Sequence, residues 1–283
     1  MSNPQSDTTV AASAASLTIG GLFCHQARYH PRRVALQDAN GEYTYGEVNE
    51  RVNRLANWLA ARGLSRGERV AVLSENRIEY LEAMLAAAKL GAIVAAQNWR
   101  LAAGELEHCI RLTEPRIMLV SERHAPVLAD VNHDVTTVLR FGQDYESALA
   151  GASIAEPPNA AQGEDGLLIL YTSGTTGLPK GALISHRAEI ARGQTFYIDH
   201  EIEREDAFVA WAPLFHMVST DLSLAALCRG SKVIVQDGYD PDALAAVVGR
   251  ERIGWLVLMP GMIESFIEAM GRGGIQPSGV KSC

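Results

Sequence analysis

The sequence predicts an α/β fold of two consecutive doubly wound, mostly parallel sheets flanked by helices. Three observations predict it. Strand and helix patterns alternate from residue 44 to 150, a second alternating series follows from 167 to 270, and residues 151–165 between them show no apolar periodicity. We interpret residues 151–165, which include two adjacent prolines, as a surface linker.

The first series opens with a helix start signal. Thr44 and Glu47 have the spacing of a capping box and precede apolar residues at helical intervals, which predicts a helix over about 44–62. The apolar run 69–73 then predicts a buried strand. The segments after it predict a helix at 78–90, a strand at 93–95, a helix at 103–112, strands at 117–120 and 136–139, and a short helix at 144–149. This order is typical of a parallel sheet covered on both faces.

The second series has the same alternation. It predicts a strand at 167–171, a Gly/Thr-rich loop, a strand at 182–184 and a helix for which Ser185 is the candidate N-cap. Further strands are predicted at 207–211, 232–235 and 254–258, and helices at 219–228, 241–250 and 261–270. As domains we expect a disordered tail at 1–16, a first subdomain at 17–150, the loop region at 166–200 and a second subdomain at 201–283, without a closing element after Gly271.

Composition excludes several classes of protein. With 33 acidic and 25 basic residues the formal charge is −8, so no nucleic-acid partner is expected. The four cysteines are scattered without a C-x-x-C pair, which favours a reducing, cytoplasmic location over a disulfide framework. The neighbours His108 and Cys109 diverge, and no metal site is predicted. The most apolar window, 81–96, is shorter than the ~20 residues of a membrane span.

The segment YTSGTTGLPKG at 171–181 carries the chemistry. It follows a strand directly, which places it at the carboxyl edge of a sheet, where ligands bind. Its glycines, including Gly181, permit positive φ, so that backbone N–H groups can form an anion nest, and Lys180 adds a positive charge. A plain flexible turn is the alternative. The predicted polyphosphate-binding residues are Thr172, Ser173, Gly174, Thr175, Thr176, Gly177 and Lys180.

This loop resembles the phosphate-binding signature of the adenylate-forming superfamily, in its acyl- and aryl-CoA synthetase branch. The resemblance extends to YTYGEV at 43–48, to 68–101, to SHRA at 185–188 and to WAPLFHM at 211–217. It covers the N-terminal half of such enzymes and implies their N-terminal subdomains. It also implies that a fatty or aromatic carboxylate attacks ATP, pyrophosphate leaves, and coenzyme A intercepts the acyl-adenylate, with Mg²⁺ on the phosphates.

The resemblance also implies roles for individual residues. Lys180 and His216 are the candidate catalytic residues, and His216, Met217 and Ser219 are the candidate lining of the acyl pocket. A satisfied core histidine is the alternative reading of His216. Since residues 214–217 contain no acid, a small-molecule carboxylic acid without an α-amino group is favoured, although Asp221 could qualify this.

Two other functions stay open at this point. The chain could be a non-catalytic module that binds ATP or an acyl group, or an adenylation domain that loads a carrier-protein thiol. The resemblance places the adenine, ribose and late lysine contacts beyond Cys283, so we expect residues 1–283 alone to be catalytically incomplete. A homodimer is left open.

Overall fold

A computed structural model describes residues 17–172 and 177–283. The strands among these residues are β1 (Val34–Asp38), β2 (Gly41–Thr44), β3 (Arg69–Leu73), β4 (Ile93–Ala96), β5 (Ile117–Val120), β6 (Thr137–Arg140), β7 (Gly166–Thr172), β8 (Lys180–Ser185), β9 (Ala207–Ala210), β10 (Val233–Val235), β11 (Ile253–Trp255) and β12 (Val280–Ser282). The helices there are α1 (Ile19–Tyr29), α2 (Tyr45–Ala61), α3 (Ile78–Leu90), α4 (Ala103–Thr113), α5 (Ala125–Ala129), α6 (Gln143–Ala150), α7 (His186–Asp199), α8 (Met217–Arg229), α9 (Pro241–Arg250) and α10 (Ile263–Arg272).

The strands form two sheets, which confirms the predicted fold class. The first sheet has the order β6-β5-β3-β4-β7-β8 and the second has the order β12-β11-β9-β10-β1-β2. Both are parallel except for one antiparallel edge strand, β8 in the first and β2 in the second. The sheets interleave along the chain, because the early hairpin β1–β2 pairs with β10, and the later hairpin β7–β8 pairs with β4. The division at residues 150 and 201 therefore stays a prediction.

Several predicted elements are present with close bounds. The capping box of Thr44 and Glu47 starts α2, and the Ser185 hydroxyl caps α7 by accepting a hydrogen bond from the amide of Ala188. The sequence did not predict α1, α5 or the β1–β2 hairpin. The expectation of no closing element after Gly271 is wrong, since β12 pairs in parallel with β11 at the edge of the second sheet.

The segment 151–165 has no helix or strand, and side chains from the helices hold it in place. The buried Lys89 ammonium of α3 donates to Glu156 Oε1 over 2.7 Å, and Asn53 of α2 donates to the carbonyl oxygen of Ile154 over 3.1 Å. At its end, Arg66 and Asp165 form an ion pair of 2.7 Å. These contacts fix residues 151–165 against α2, α3 and Arg66.

Helix α3 lies between the two sheets. It contacts β3 and β4 of the first sheet and β1 of the second, and nearly every one of its residues is buried. Its small and apolar residues suit this position, because a helix that is apolar all round belongs in a core. A separate apolar cluster, including Leu106 and Ile110 of α4, covers the other face of the first sheet. No helix within residues 17–172 and 177–283 is long and apolar enough to cross a membrane.

Each sheet has a point where the chain reverses direction across the strands. In the first sheet the chain runs from β3 to β4 and then back past β3 to β5, and in the second it runs from β9 to β10 and then back past β9 to β11. Because parallel crossovers are right-handed, opposite directions put the connecting helices on opposite faces. A crevice therefore opens at the carboxyl ends of β3 and β4, and another at those of β9 and β10.

Candidate functional site

One asparagine connects the two crevices. Asn76 follows β3, and its buried side-chain amide donates to the carbonyl oxygens of Ala210 and Ala212, over 3.0 and 2.7 Å, and of Gln236, over 3.1 Å. Its Oδ1 atom accepts from the amide of Leu214 over 2.8 Å. The loop after β3 thus enters the crevice of the second sheet. Sequence patterns could not predict this link, because the contacts join residues 134–160 positions apart.

The predicted phosphate loop connects β7 to β8 at the carboxyl edge of the first sheet. Thr172 and Lys180 face each other in the antiparallel register, and both are exposed. Gly177 has φ +100°, which favours glycine, as the sequence predicts for this loop. Gly181 does not use positive φ; a Cβ atom there would lie 2.9 Å from Ile169 Cγ2, so close packing is the reason for that glycine. The remaining predicted residues, Ser173, Gly174, Thr175 and Thr176, lie outside the described residues.

The described ends of the loop leave a hydroxyl and a positive charge exposed. Thr172 offers a hydroxyl, and Lys180 makes no ion pair within the part of the chain that the structure describes. A Cβ added to Gly177 would meet none of the other described residues within 4 Å. Among the described residues no group of three His, Cys, Asp or Glu side chains converges on a metal site.

The acyl-side candidates lie at the start of α8. His216 is the N-cap residue and is partly exposed, while Met217 is half-buried and Ser219 is fully buried, with its Oγ atom lacking a hydrogen-bond partner among the described residues. Partial burial, and then the charge of Arg100, lower the pKa of His216. Both causes favour the neutral imidazole over the imidazolium. The structure brings these three residues within one helical turn, but His216 and Ser219 have different surroundings.

An aromatic cluster lies beside His216 and was not predicted. The ring of Trp99, which follows β4, stacks on His124 at 5.1 Å and meets Phe215 edge-on at 5.9 Å. The guanidinium of Arg100 lies 5.0 Å from the centre of the Trp99 ring and 5.8 Å from that of Phe215. This cluster joins the carboxyl ends of the two sheets and gives the site an apolar wall with one positive charge.

Asp221 lies away from this wall. Its buried carboxylate forms an ion pair with Arg192 of α7 and interacts with the carboxyl of Glu189 on the same helix. Burial raises the pKa of Glu189 well above its ordinary value, and Asp221 raises it further. Asp221 therefore belongs to the contact between α7 and α8.

A cleft of about 880 Å³ lies where the carboxyl ends of β1 and β10 approach the start of α3. Some of its charged side chains pair with one another, Arg77 with Glu79 at 2.7 Å and Arg123 with Asp237 at 2.6 Å. Because ion pairs already engage these groups, we assign no ligand to this cleft.

Comparison with known proteins gives consistent matches. The model of the AMP-binding enzyme family matches residues 23–281. The chain is similar to the feruloyl-CoA synthase of an Amycolatopsis species, with 30% identity over 87% of this chain and 50% of that protein. It is also similar to the indoleacetate–CoA ligase of Aromatoleum aromaticum, with 34% identity over 85% of this chain and 49% of that protein. The chain thus spans about half the length of the curated relatives it matches.

Solved structures share the fold. The N-terminal domain of FACL13 from Mycobacterium tuberculosis matches with a TM-score of 0.84 and 26% identity, covering 92% of this chain and 67% of that one. ATP-bound MatB from Rhodopseudomonas palustris matches with a TM-score of 0.76 and 28% identity, covering 90% of this chain and 53% of that one.

Proposed function

Because the chain belongs to the family of AMP-binding enzymes, we propose that it serves the ATP-dependent activation of a fatty or aromatic carboxylic acid and its transfer to coenzyme A. The relatives' names support this class, since both curated examples are CoA ligases for aromatic acids. ATP, with Mg²⁺ on its phosphates, and coenzyme A are the proposed co-substrates.

The observation that carries the proposal is the hairpin β7–β8. It opens at the carboxyl edge of the first sheet, with Thr172, Gly177 and Lys180 exposed at its mouth. In the first step a carboxylate oxygen bonds to the α-phosphorus, the bond to pyrophosphate breaks, and negative charge grows on the leaving group. Lys180 and the loop N–H groups stabilise that charge more than they stabilise bound ATP.

On the acyl side, the proposed pocket contains His216, Met217 and Ser219. A neutral His216 can donate a hydrogen bond to the substrate carboxylate without holding it as tightly as a full positive charge would. The position of Asp221 against α7 supports an acid without an α-amino group, because no carboxylate lies at the start of α8 to bind an ammonium.

The test is ATP–pyrophosphate exchange with a panel of fatty and aromatic acids. We expect Lys180→Ala to lower the exchange rate by a factor on the order of 10²–10³, since one charge-stabilising donor is lost. Lys281→Ala, which removes a lysine from the far edge of the second sheet, is the matched control. An exchange rate for Lys180→Ala close to that of the unmodified chain would contradict the proposed role.

The assay uses the 283-residue chain and any longer protein that contains it. We expect the 283-residue chain to bind MgATP. Binding of MgATP without pyrophosphate release by a longer protein would favour a non-catalytic module. Acyl transfer to a carrier protein in place of free coenzyme A would favour the carrier-loading function.

A further inference from the structure

A histidine outside the proposed catalytic set contacts the exit of the phosphate loop. His108 of α4 lies with its Nε2 atom 3.1 Å from the carbonyl oxygen of Pro179. Since a carbonyl oxygen can only accept a hydrogen bond, the ring donates from Nε2. The contact joins positions 71 residues apart, so it fixes the loop to a separate element of the fold.

The bonded carbonyl lies directly before Lys180. The Pro179 carbonyl and the Lys180 N–H belong to one planar peptide group, so the orientation of that plane sets the direction in which the lysine leaves the backbone. The proline ring fixes φ on one side of this plane. Pro179 is also buried, whereas Leu178 and Lys180 on either side are exposed. Holding the Pro179 carbonyl therefore restricts Lys180 without covering it.

The same helix supports the entrance of the loop. The Tyr171 hydroxyl, at the end of β7, donates to the carbonyl oxygen of Cys109 over 3.0 Å and accepts from Gln97 over 2.9 Å. Neighbouring residues of α4 thus hold both ends of the loop. We infer that His108 is a positioning residue that directs Lys180 toward the triphosphate, an inference that rests on the proposed function.

Two substitutions separate the donor from the bulk of the ring. His108→Phe keeps an aromatic ring against the cavity of about 580 Å³ beneath the loop but removes the donor, and His108→Gln keeps an Nε2 donor at similar reach. The dissociation constant for MgATP, measured by calorimetry on the 283-residue chain, should rise roughly three- to tenfold in the Phe variant, as expected for one lost hydrogen bond. It should return toward the unmodified value in the Gln variant. His25→Phe, on the exposed face of α1, should leave it unchanged.

A second measurement does not depend on nucleotide. Trypsin cleaves after lysine, so the rate of cleavage after Lys180 reports how firmly the loop exit is held. We expect faster cleavage in His108→Phe than in His108→Gln, with equal melting temperatures. If the Phe variant matches the unmodified chain in cleavage and in MgATP affinity, or if Gln fails to restore them, the inference is overturned. The unmodified chain could bind no MgATP, alone or within a longer protein, while cleavage after Lys180 is still faster in His108→Phe than in His108→Gln. In that case the proposed function fails and only the contact with Pro179 stands.

Discussion

At the scale of single residues, the protonation state of His216 depends on its surroundings. Partial burial and the nearby Arg100 both disfavour the imidazolium, so they lower the pKa of His216. Arg100→Gln removes one of these two causes, and we expect the pKa of His216 to rise while staying below its ordinary value. NMR titration of the ring signals in the 283-residue chain measures this. Arg111→Gln, on the exposed side of α4, should leave the titration unchanged, and the same lack of response in Arg100→Gln would contradict the electrostatic coupling.

Glu189 provides a second prediction at this scale. Burial first, and Asp221 second, raise the pKa of Glu189 well above 4.5, so the folded chain keeps a proton that the unfolded chain releases. Stability must then fall as pH rises from about 4.5 through the folded-state pKa. Glu189→Gln removes this cost and should raise the free energy of unfolding at pH 7 by about 1–3 kcal/mol, with little gain near pH 4.

Denaturant unfolding at the two pH values measures the effect. Glu268→Gln is the matched control, because the Glu268 side chain is 72% exposed and should respond to neither pH. If Glu189→Gln raised the free energy of unfolding equally at pH 4 and pH 7, the stabilisation would come from better packing and not from the proton that Glu189 retains.

At the scale of elements, the turn between β3 and α3 links the two sheets through Asn76. Asn76→Ala leaves the buried amide of Leu214 without its acceptor and the carbonyl of Ala212 without its donor, while the carbonyls of Ala210 and Gln236 keep backbone donors. We expect the free energy of unfolding to fall by about 2–4 kcal/mol, since each orphaned buried group costs about 1–3 kcal/mol. Denaturant titration checks this value.

The control for that experiment is Asn57→Ala. Asn57 also donates to two backbone carbonyls, of Ser153 and Ala155, each over 2.8 Å, but these bonds lie near solvent. Water can replace the lost donor there, so the expected loss is below about 1 kcal/mol. A similar loss in both variants would mean that Asn76 has no special part in joining the sheets.

Local patterns made many of these elements predictable, and tertiary contacts explain the ones that were missed. The capping box at Thr44 is a short-range signal and predicted the start of α2. Helix α1 was missed because glycines weaken its helix pattern. Close packing against α3 requires glycine at position 20, because a Cβ there would lie 2.9 Å from the backbone nitrogen of Lys89. Asp38 accepts from the amides of Asn40 and Gly41 in the β1–β2 turn, but the partner strand β10 lies almost 200 residues away.

The same distinction between local patterns and tertiary contacts holds for the candidate site. The loop motif predicts Thr172, Gly177 and Lys180 as site residues because they lie within one short segment of the sequence. Asn76 and His108 could not be found that way, since their partners are brought near only by the folded sheets. A single sequence shows which groups can do chemistry, but their supports become visible only in three dimensions.

At the scale of the whole molecule, the interleaving of the two sheets limits how the chain can be divided. The hairpin β1–β2 completes the sheet built mainly from the later strands, and β7–β8 completes the sheet built mainly from the earlier ones. Cleavage within 151–165 would therefore give two pieces that do not fold independently. The N-terminal piece would lack β7 and β8 of its own sheet and would carry β1 and β2 of the other sheet. A fragment that is to keep both sheets complete must therefore retain the strands on both sides of residues 151–165.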